Sequence, residues 1–269
     1  MTEPIRIAMW SGPRNISTAM MRAWENRGDC AISDEPLYAH FLHTTGADHP
    51  ARDAVIAAGE TDWRNVVADL QGPVPDGKPI WYQKHMTHHL TPEMDRQWIG
   101  KLTNVLLIRD PTEVVASYVD RRGTVSPEEI GQPQQLALYE EITAAQGHPP
   151  PVIDAGEFLR APAPHLRALC RLLGLTFTDR MLSWPAGPRS SDGVWAPHWY
   201  ARVWQSTGFE SPRPRKPQLH GPAAEVAEAC RPMYQWLFER RLMPEERDRA
   251  GGRPREAANL SDGGPIRTA

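Results

Sequence analysis

Residues 104–108 read N-V-L-L-I and are followed at once by R-D-P. A run of this length suits one buried strand and is too short for a buried helix. Asp110 and Pro111 then have the residue types of a helix cap and of a first helical position. Further short apolar runs lie at 5–10, 31–33, 79–84 and 151–154. Helices are expected at 17–27, within 51–70, and at 91–100, 111–121, 133–146, 164–173 and 223–242. Short apolar strands alternating with helices constrain the chain to an α/β fold with a central parallel sheet flanked by helices. Ligands of such sheets bind beyond the carboxyl ends of the strands. The residues following Trp10, Ser33, Lys84 and Ile108 are therefore the ones to inspect.

The chain has 269 residues, 40% hydrophobic and 23% charged, enough for a single domain over 1–249. Residues 250–269 are polar, rich in Gly and Pro and without apolar period, and are expected to form a flexible tail. Lys and Arg number 30 against 33 Asp and Glu, a net charge of −3, which argues against a nucleic-acid binder. A small anion is not excluded, because a few basic groups in one cleft suffice to hold it. Cys30, Cys170 and Cys230 are too scattered for a disulfide framework or a zinc site, and no metal is expected. No stretch of about 18 apolar residues occurs, so no membrane span is expected. The first ten residues lack the regions of a signal peptide, which makes the cytoplasm the expected location.

The first strand runs into Ser11-Gly12-Pro13-Arg14-Asn15-Ile16-Ser17-Thr18 and then a helix. A loop closing onto a helix N-terminus aims unpaired N–H groups and the positive end of the helix dipole at one spot. Arg14, Ser17 and Thr18 add a cation and two hydroxyls, a set suited to phosphate or sulfate. The same residues are equally consistent with a plain helix cap and a solvated arginine. No lysine precedes Ser17, so the loop is not of the usual nucleoside-triphosphatase pattern. After the fourth strand, Arg109 and Ser117, eight residues apart, offer a second anion site. Alone, that pair reads equally well as an arginine bound to Asp110 or Glu113 beside a solvated serine.

Together the two segments resemble the cofactor signature of PAPS-dependent sulfotransferases, in the bacterial small-molecule branch. In that family a P-K-S-G-T-T type loop holds the 5′-phosphosulfate end. A later Arg, with a Ser eight residues on, holds the 3′-phosphate. Here P-R-N-I-S-T at 13–18 and the pair Arg109 and Ser117 occupy those places. The strand, acidic residue and Leu-Gly pair spanning 151–175 are similar too, as is G-P-R-S-S-D-G-V-W at 187–195. The latter looks like the family's loop closing over the 3′-phosphate, through Arg189 and Gly193. The resemblance spans about residues 4–210. It implies a P-loop nucleotide-binding-like sulfotransferase fold, PAPS as cofactor with PAP as product, and a small hydroxylated acceptor. Three departures stand out: Arg14 replaces the loop lysine, Ile16 replaces the loop glycine, and Ala19 replaces the aromatic that stacks on adenine. Ile16 makes a left-handed backbone there less expected, and Trp195 is the expected substitute for the stacking ring.

Sulfuryl transfer builds negative charge on the bridging phosphate oxygen, where Arg14 and Lys84 are candidate stabilisers. A general base must take the acceptor proton. Glu35, in S-D-E-P-L-Y, resembles the Glu-Pro base of some bacterial sulfotransferases. His85, following Lys84, is similar to the K-T-H segment of the cytosolic enzymes with its histidine one position earlier. The expectation is Glu35 as base with His85 assisting. Segments 37–75 and 181–210 are expected to line the acceptor pocket with aromatics such as Tyr38, Phe41 and Trp199. The Trp-rich run 195–204 suits a helix face or a homodimer contact equally. Two other functions remain open: a P-loop kinase or nucleotidase using ATP and Mg²⁺, and a non-catalytic nucleotide-binding protein.

Overall fold

The structure is a computed structural model that describes residues 3–122, 125–211 and 217–249. The expected tail, 250–269, lies outside the described residues. Five strands form one sheet: β1 (Ile5–Ser11), β2 (Cys30–Asp34), β3 (Ile80–Met86), β4 (Thr103–Ile108) and β5 (Val152–Asp154). Their order is β2-β3-β1-β4-β5, with every pair parallel. The connecting helices are α1 (Ser17–Glu25), α2 (Tyr38–Thr45), α3 (Arg52–Ala58), α4 (Trp63–Gln71), α5 (Pro111–Arg122) and α6 (Gln132–Gln146). After β5 come α7 (Ala155–Arg160), α8 (Pro162–Leu172), the short α9 (Ala196–Trp199) and α10 (Ala201–Trp204), α11 (Pro222–Phe238) and α12 (Glu246–Arg249).

Period-two alternation sorts each strand's side chains into two layers. Ile7, Met9, Tyr82, Val105, Leu107 and Ile153 join a core with Met20, Trp24 and Phe158. Ala8, Trp10, Trp81, Leu106, Ile108 and Val152 join the opposite one, with Trp98 and Leu237. Asp110 caps α5 by accepting from Thr112 N at 2.8 Å, with Pro111 as first helical residue. Two expectations need correction. The helix expected at 91–100 is instead a loop with one 3-10 turn, Gln97–Lys101, which Asp95 starts by accepting from Gln97 N at 2.9 Å. The polar stretch before residue 51 holds a helix not foreseen, α2, closed by the left-handed Gly46.

This topology positions the site. The chain leaves β1 toward one edge, returns through β3, then crosses to β4 on the other side of β1. The loops after β1 and β4 are therefore neighbours at the carboxyl edge, where ligands of such sheets bind.

Candidate active site

The two anion-binding segments meet. Arg14 Nε donates to Ser117 Oγ at 2.9 Å, and Arg109 NH1 donates to the Arg14 carbonyl at 2.8 Å. Asn15 ties the loop to the sheet, donating to Leu107 O at 2.9 Å while its own side-chain oxygen accepts from Ile16 N at 2.8 Å. Arg109 also donates to Glu113 at 2.9 Å, so that side of the plainer reading holds as well. Ile16 has φ −88°, and the left-handed residue of the loop is Arg14, φ 56°. The loop thus keeps a sharp turn without the glycine at 16 by moving it two residues back. No side chain caps α1, whose first turn opens on the same space. Gly12 does not line that space. A Cβ there would fall on the Ile130 carbonyl oxygen, so glycine is needed for backbone approach.

Beyond the next two strands lies an ionic cluster. Asp34 ends β2 in register with Lys84 on β3, so both face one layer. Lys84 Nζ donates to Asp34 at 2.9 Å, to Tyr200 Oη at 2.8 Å, and to Glu35. Tyr200 in turn donates to Asp34 at 2.8 Å and accepts from Trp195 Nε1 at 3.2 Å. Glu35 sits at φ 44°, with its N–H on the Lys84 carbonyl at 2.9 Å. That left-handed backbone turns its carboxylate back over the sheet edge. Burial pushes the Glu35 pKa above the usual carboxylate range, with Lys84 opposing and Asp34 adding to the rise. Lys84 is held far above the usual lysine range, because Asp34 and Glu35 outweigh its own burial.

One cavity of about 1350 Å³ joins the two ends. Pro13–Thr18, Arg109 and Ser117 line it on one side, and Glu35, Lys84, Tyr38, Phe41, His88 and His89 on another. Parts of both expected acceptor segments contribute, including Trp199 and Tyr200.

Several expected residues are elsewhere. His85 follows Lys84 on a strand, so it must point to the other face. It is 1% exposed and lies flat on Trp10, ring centroids 4.2 Å apart, away from the cavity. Its assisting role is therefore withdrawn. Lys84 has three ammonium protons, and its three contacts occupy them. It holds carboxylates and is not poised on a phosphate oxygen. Arg189 donates to Glu25 at 3.3 Å, and Gly193 N–H reaches Asp34 Oδ2 at 3.3 Å; neither lines the cavity. Their segment is folded onto α1, where Glu25 and Arg22 take its polar groups. Trp195 is buried against Tyr38 and bonded to Tyr200, so it presents no face for a base to stack on. Sequence reasoning passed over Asp34, took Tyr200 only as one of the acceptor-pocket aromatics, and took His89 only as part of a histidine-rich turn. The first was legible in principle, because Asp34 and Lys84 both end short strands of one parallel sheet.

The sulfotransferase domain family matches residues 5–241, nearly all of the described chain. The chain belongs to that family. Among curated proteins it is similar to two from Arabidopsis thaliana, named branched-chain-amino-acid aminotransferase-like protein 1 and protein 2. The identities are 39% over 214 residues and 36% over 235 residues. These matches take in 79% and 86% of this chain but 38% and 41% of the relatives, so the chain spans about two fifths of their length. Among solved structures it is similar to the sulfotransferase from Alicyclobacillus acidocaldarius. The two are 12% identical with a TM-score of 0.53, over 93% of this chain and 100% of that one. That likeness concerns the fold, which is the P-loop-like sulfotransferase fold. No helix among the described residues is long and apolar enough to cross a membrane.

Proposed function

We propose that the protein moves a sulfuryl group from PAPS to a hydroxyl of a small acceptor, with Glu35 as general base. The observation carrying this reading is the single cavity that connects the Arg14, Arg109 and Ser117 cluster with the buried carboxylate of Glu35. The residues fit a doubly phosphorylated nucleotide. Two guanidinium groups and the uncapped first turn of α1 gather at one end, a donor set suited to phosphate oxygens. Pro13–Thr18 would hold the 5′ end, and Arg109 with Ser117 the 3′-phosphate. When bound, the cofactor supplies an activated sulfuryl group on a phosphate leaving group.

The chain's own residues do the rest. Arg14 places positive charge where the leaving phosphate would gain negative charge. Glu35 takes the acceptor proton on its carboxylate, and its raised proton affinity suits that task better than an ordinary glutamate would. Lys84 holds Glu35 and Asp34 in place at the sheet edge. Tyr38, Phe41 and the imidazoles of His88 and His89 wall the space next to Glu35, and they bound the acceptor. The aromatic face of Tyr38 and Phe41 favours a small organic alcohol over a highly charged partner.

Thermal denaturation tests the cofactor. PAP without metal stabilises the protein by about 2.7 kcal/mol at a hundredfold excess over Kd. Stabilisation by ATP with Mg²⁺ and none by PAP would replace this reading with the kinase one. Glu35→Gln lowers turnover by about 10²–10⁴-fold against a panel of hydroxylated acceptors. The same variant keeps its stabilisation by PAP, since the carboxylate lies at the other end of the cavity. Full turnover in that variant removes Glu35 as base.

A further inference from the structure

Two carboxylates next to each other in sequence, Asp34 and Glu35, reach the same ammonium group. Their surroundings differ. Asp34 has a side chain 2% exposed and receives Lys84 Nζ at 2.9 Å, Tyr200 Oη at 2.8 Å and Gly193 N at 3.3 Å. Glu35 has a side chain 12% exposed, receives Lys84, and faces His89 Nε2 at 4.0 Å. Two acids sharing one cation do not ionise with equal ease. Asp34 is the better supplied with donors, receiving Lys84, Tyr200 and the Gly193 N–H, where Glu35 receives Lys84. The two carboxylates meet at one ammonium, so each lies at close range to the other.

We propose that Asp34 is a positioning residue, which fixes Lys84 through the Lys84–Tyr200–Asp34 contacts and so sets how tightly Glu35 holds a proton. The inference rests on the reading of Glu35 as the base. Without Asp34, Glu35 would be the one carboxylate on the Lys84 ammonium and a weaker proton acceptor. With Asp34 in place, one of the three ammonium protons goes to it and one to Tyr200. Burial, the largest influence on Glu35, then raises its proton affinity with less opposition from Lys84. Tyr200 acts in the same sense, because its one hydroxyl proton goes to Asp34 and its oxygen takes a second ammonium proton of Lys84.

The other groups around Glu35 leave this balance intact. His89, on the turn Thr87–His89, is pushed well below the usual imidazole range by burial and by His88 and His49, so it is neutral near pH 7. Tyr38 stacks on His89 with ring centroids 4.8 Å apart. Tyr200 is pushed well above the usual phenol range and stays a donor. His85 lies on the far face and is also neutral. Lys84 and Asp34 are the charges in direct contact with Glu35 and its neighbour.

The test is a titration of the ligand-free protein labelled with carboxyl-¹³C glutamate, with Glu35→Gln identifying the Glu35 resonance. Asp34→Asn moves the Glu35 midpoint down by about one pH unit. Tyr200→Phe moves it down as well, by less, because Asp34 loses a donor and Lys84 an acceptor. Asp34→Glu, which keeps the carboxylate, moves it less than Asp34→Asn does, which a merely structural role would not predict. An unmoved or higher midpoint in Asp34→Asn overturns the proposal. Should Asp34→Asn fail to fold, Tyr200→Phe decides: a fall supports the proposal and an unmoved or higher midpoint overturns it. The readout needs no acceptor and no turnover, so it separates from the base assignment. If Glu35→Gln retains full activity, the base falls while the titration still reports on Asp34.

Discussion

Lys84 and His85 are consecutive residues of one strand, each about 1% exposed, and they meet opposite fates. On one face, the Lys84 ammonium is received by two carboxylates and a phenol. Its pKa is driven far up. On the other, His85 has Trp10 beneath it and a 3.3 Å contact to Gln83 Oε1. Burial pushes its pKa down to about 3, and Lys84 adds to the fall. Depth in the fold does not decide whether a buried basic group stays charged. Partners built on the same face decide it, and strand alternation decides which residue receives them.

The largest expected effect comes from breaking the charged side. Lys84→Met leaves the buried Asp34 and Glu35 carboxylates side by side without their shared cation and lowers stability by about 3–5 kcal/mol. Urea denaturation at neutral pH reads this, and a loss below about 1 kcal/mol would mean the ammonium is not needed where it sits. The neutral side responds to acid instead. Between pH 6.5 and about 3, an unfolded His85 takes a proton that the folded one refuses. Stability therefore falls as pH drops through this window, by up to about 1.4 kcal/mol per pH unit. His85→Phe keeps the ring on Trp10 and flattens that slope, as denaturation midpoints across the window will show. An unchanged slope would show that His85 is not held neutral. The smallest effect sharpens the contrast within the Lys84 face. Tyr82 is fully buried there, and its hydroxyl has no hydrogen-bond partner among the described residues. Tyr82→Phe is neutral or stabilising within about 1 kcal/mol, by the same denaturation measurement.

The strands were legible because each is a short apolar run, and the observed limits of β1 to β5 differ from the runs by a residue or two. The order β2-β3-β1-β4-β5 was not, since nothing local tells β1 which neighbours it has. The meeting of Arg14 with Ser117, 103 positions apart, was legible only through the resemblance to a family. Glu35 was legible as a residue after a strand. Its left-handed backbone was not, because glutamate has no preference for φ 44° and tertiary contacts impose it. His85 was misread because a match shifted by one position along a strand changes face, whatever the residue type. Arg189 and Trp195 were misread for a different reason. Their segment has charges and rings that suit a ligand, but Arg22 and Glu25 of α1 bind it first.

That last attachment has a mechanical side. Arg22, 1% exposed, grips Asp192 through two contacts of 2.5 and 2.8 Å, and Trp204 Nε1 adds a third at 2.9 Å. Tyr200 lies on the strap between those anchors. The helix whose opening turn faces the Arg14 end of the cavity thus carries, at its far end, the tether of the phenol that touches Asp34 and Lys84. A tilt of α1 would drag that phenol with it, so filling the Arg14 end of the cavity would be felt at the Glu35 end without any loop needing to close.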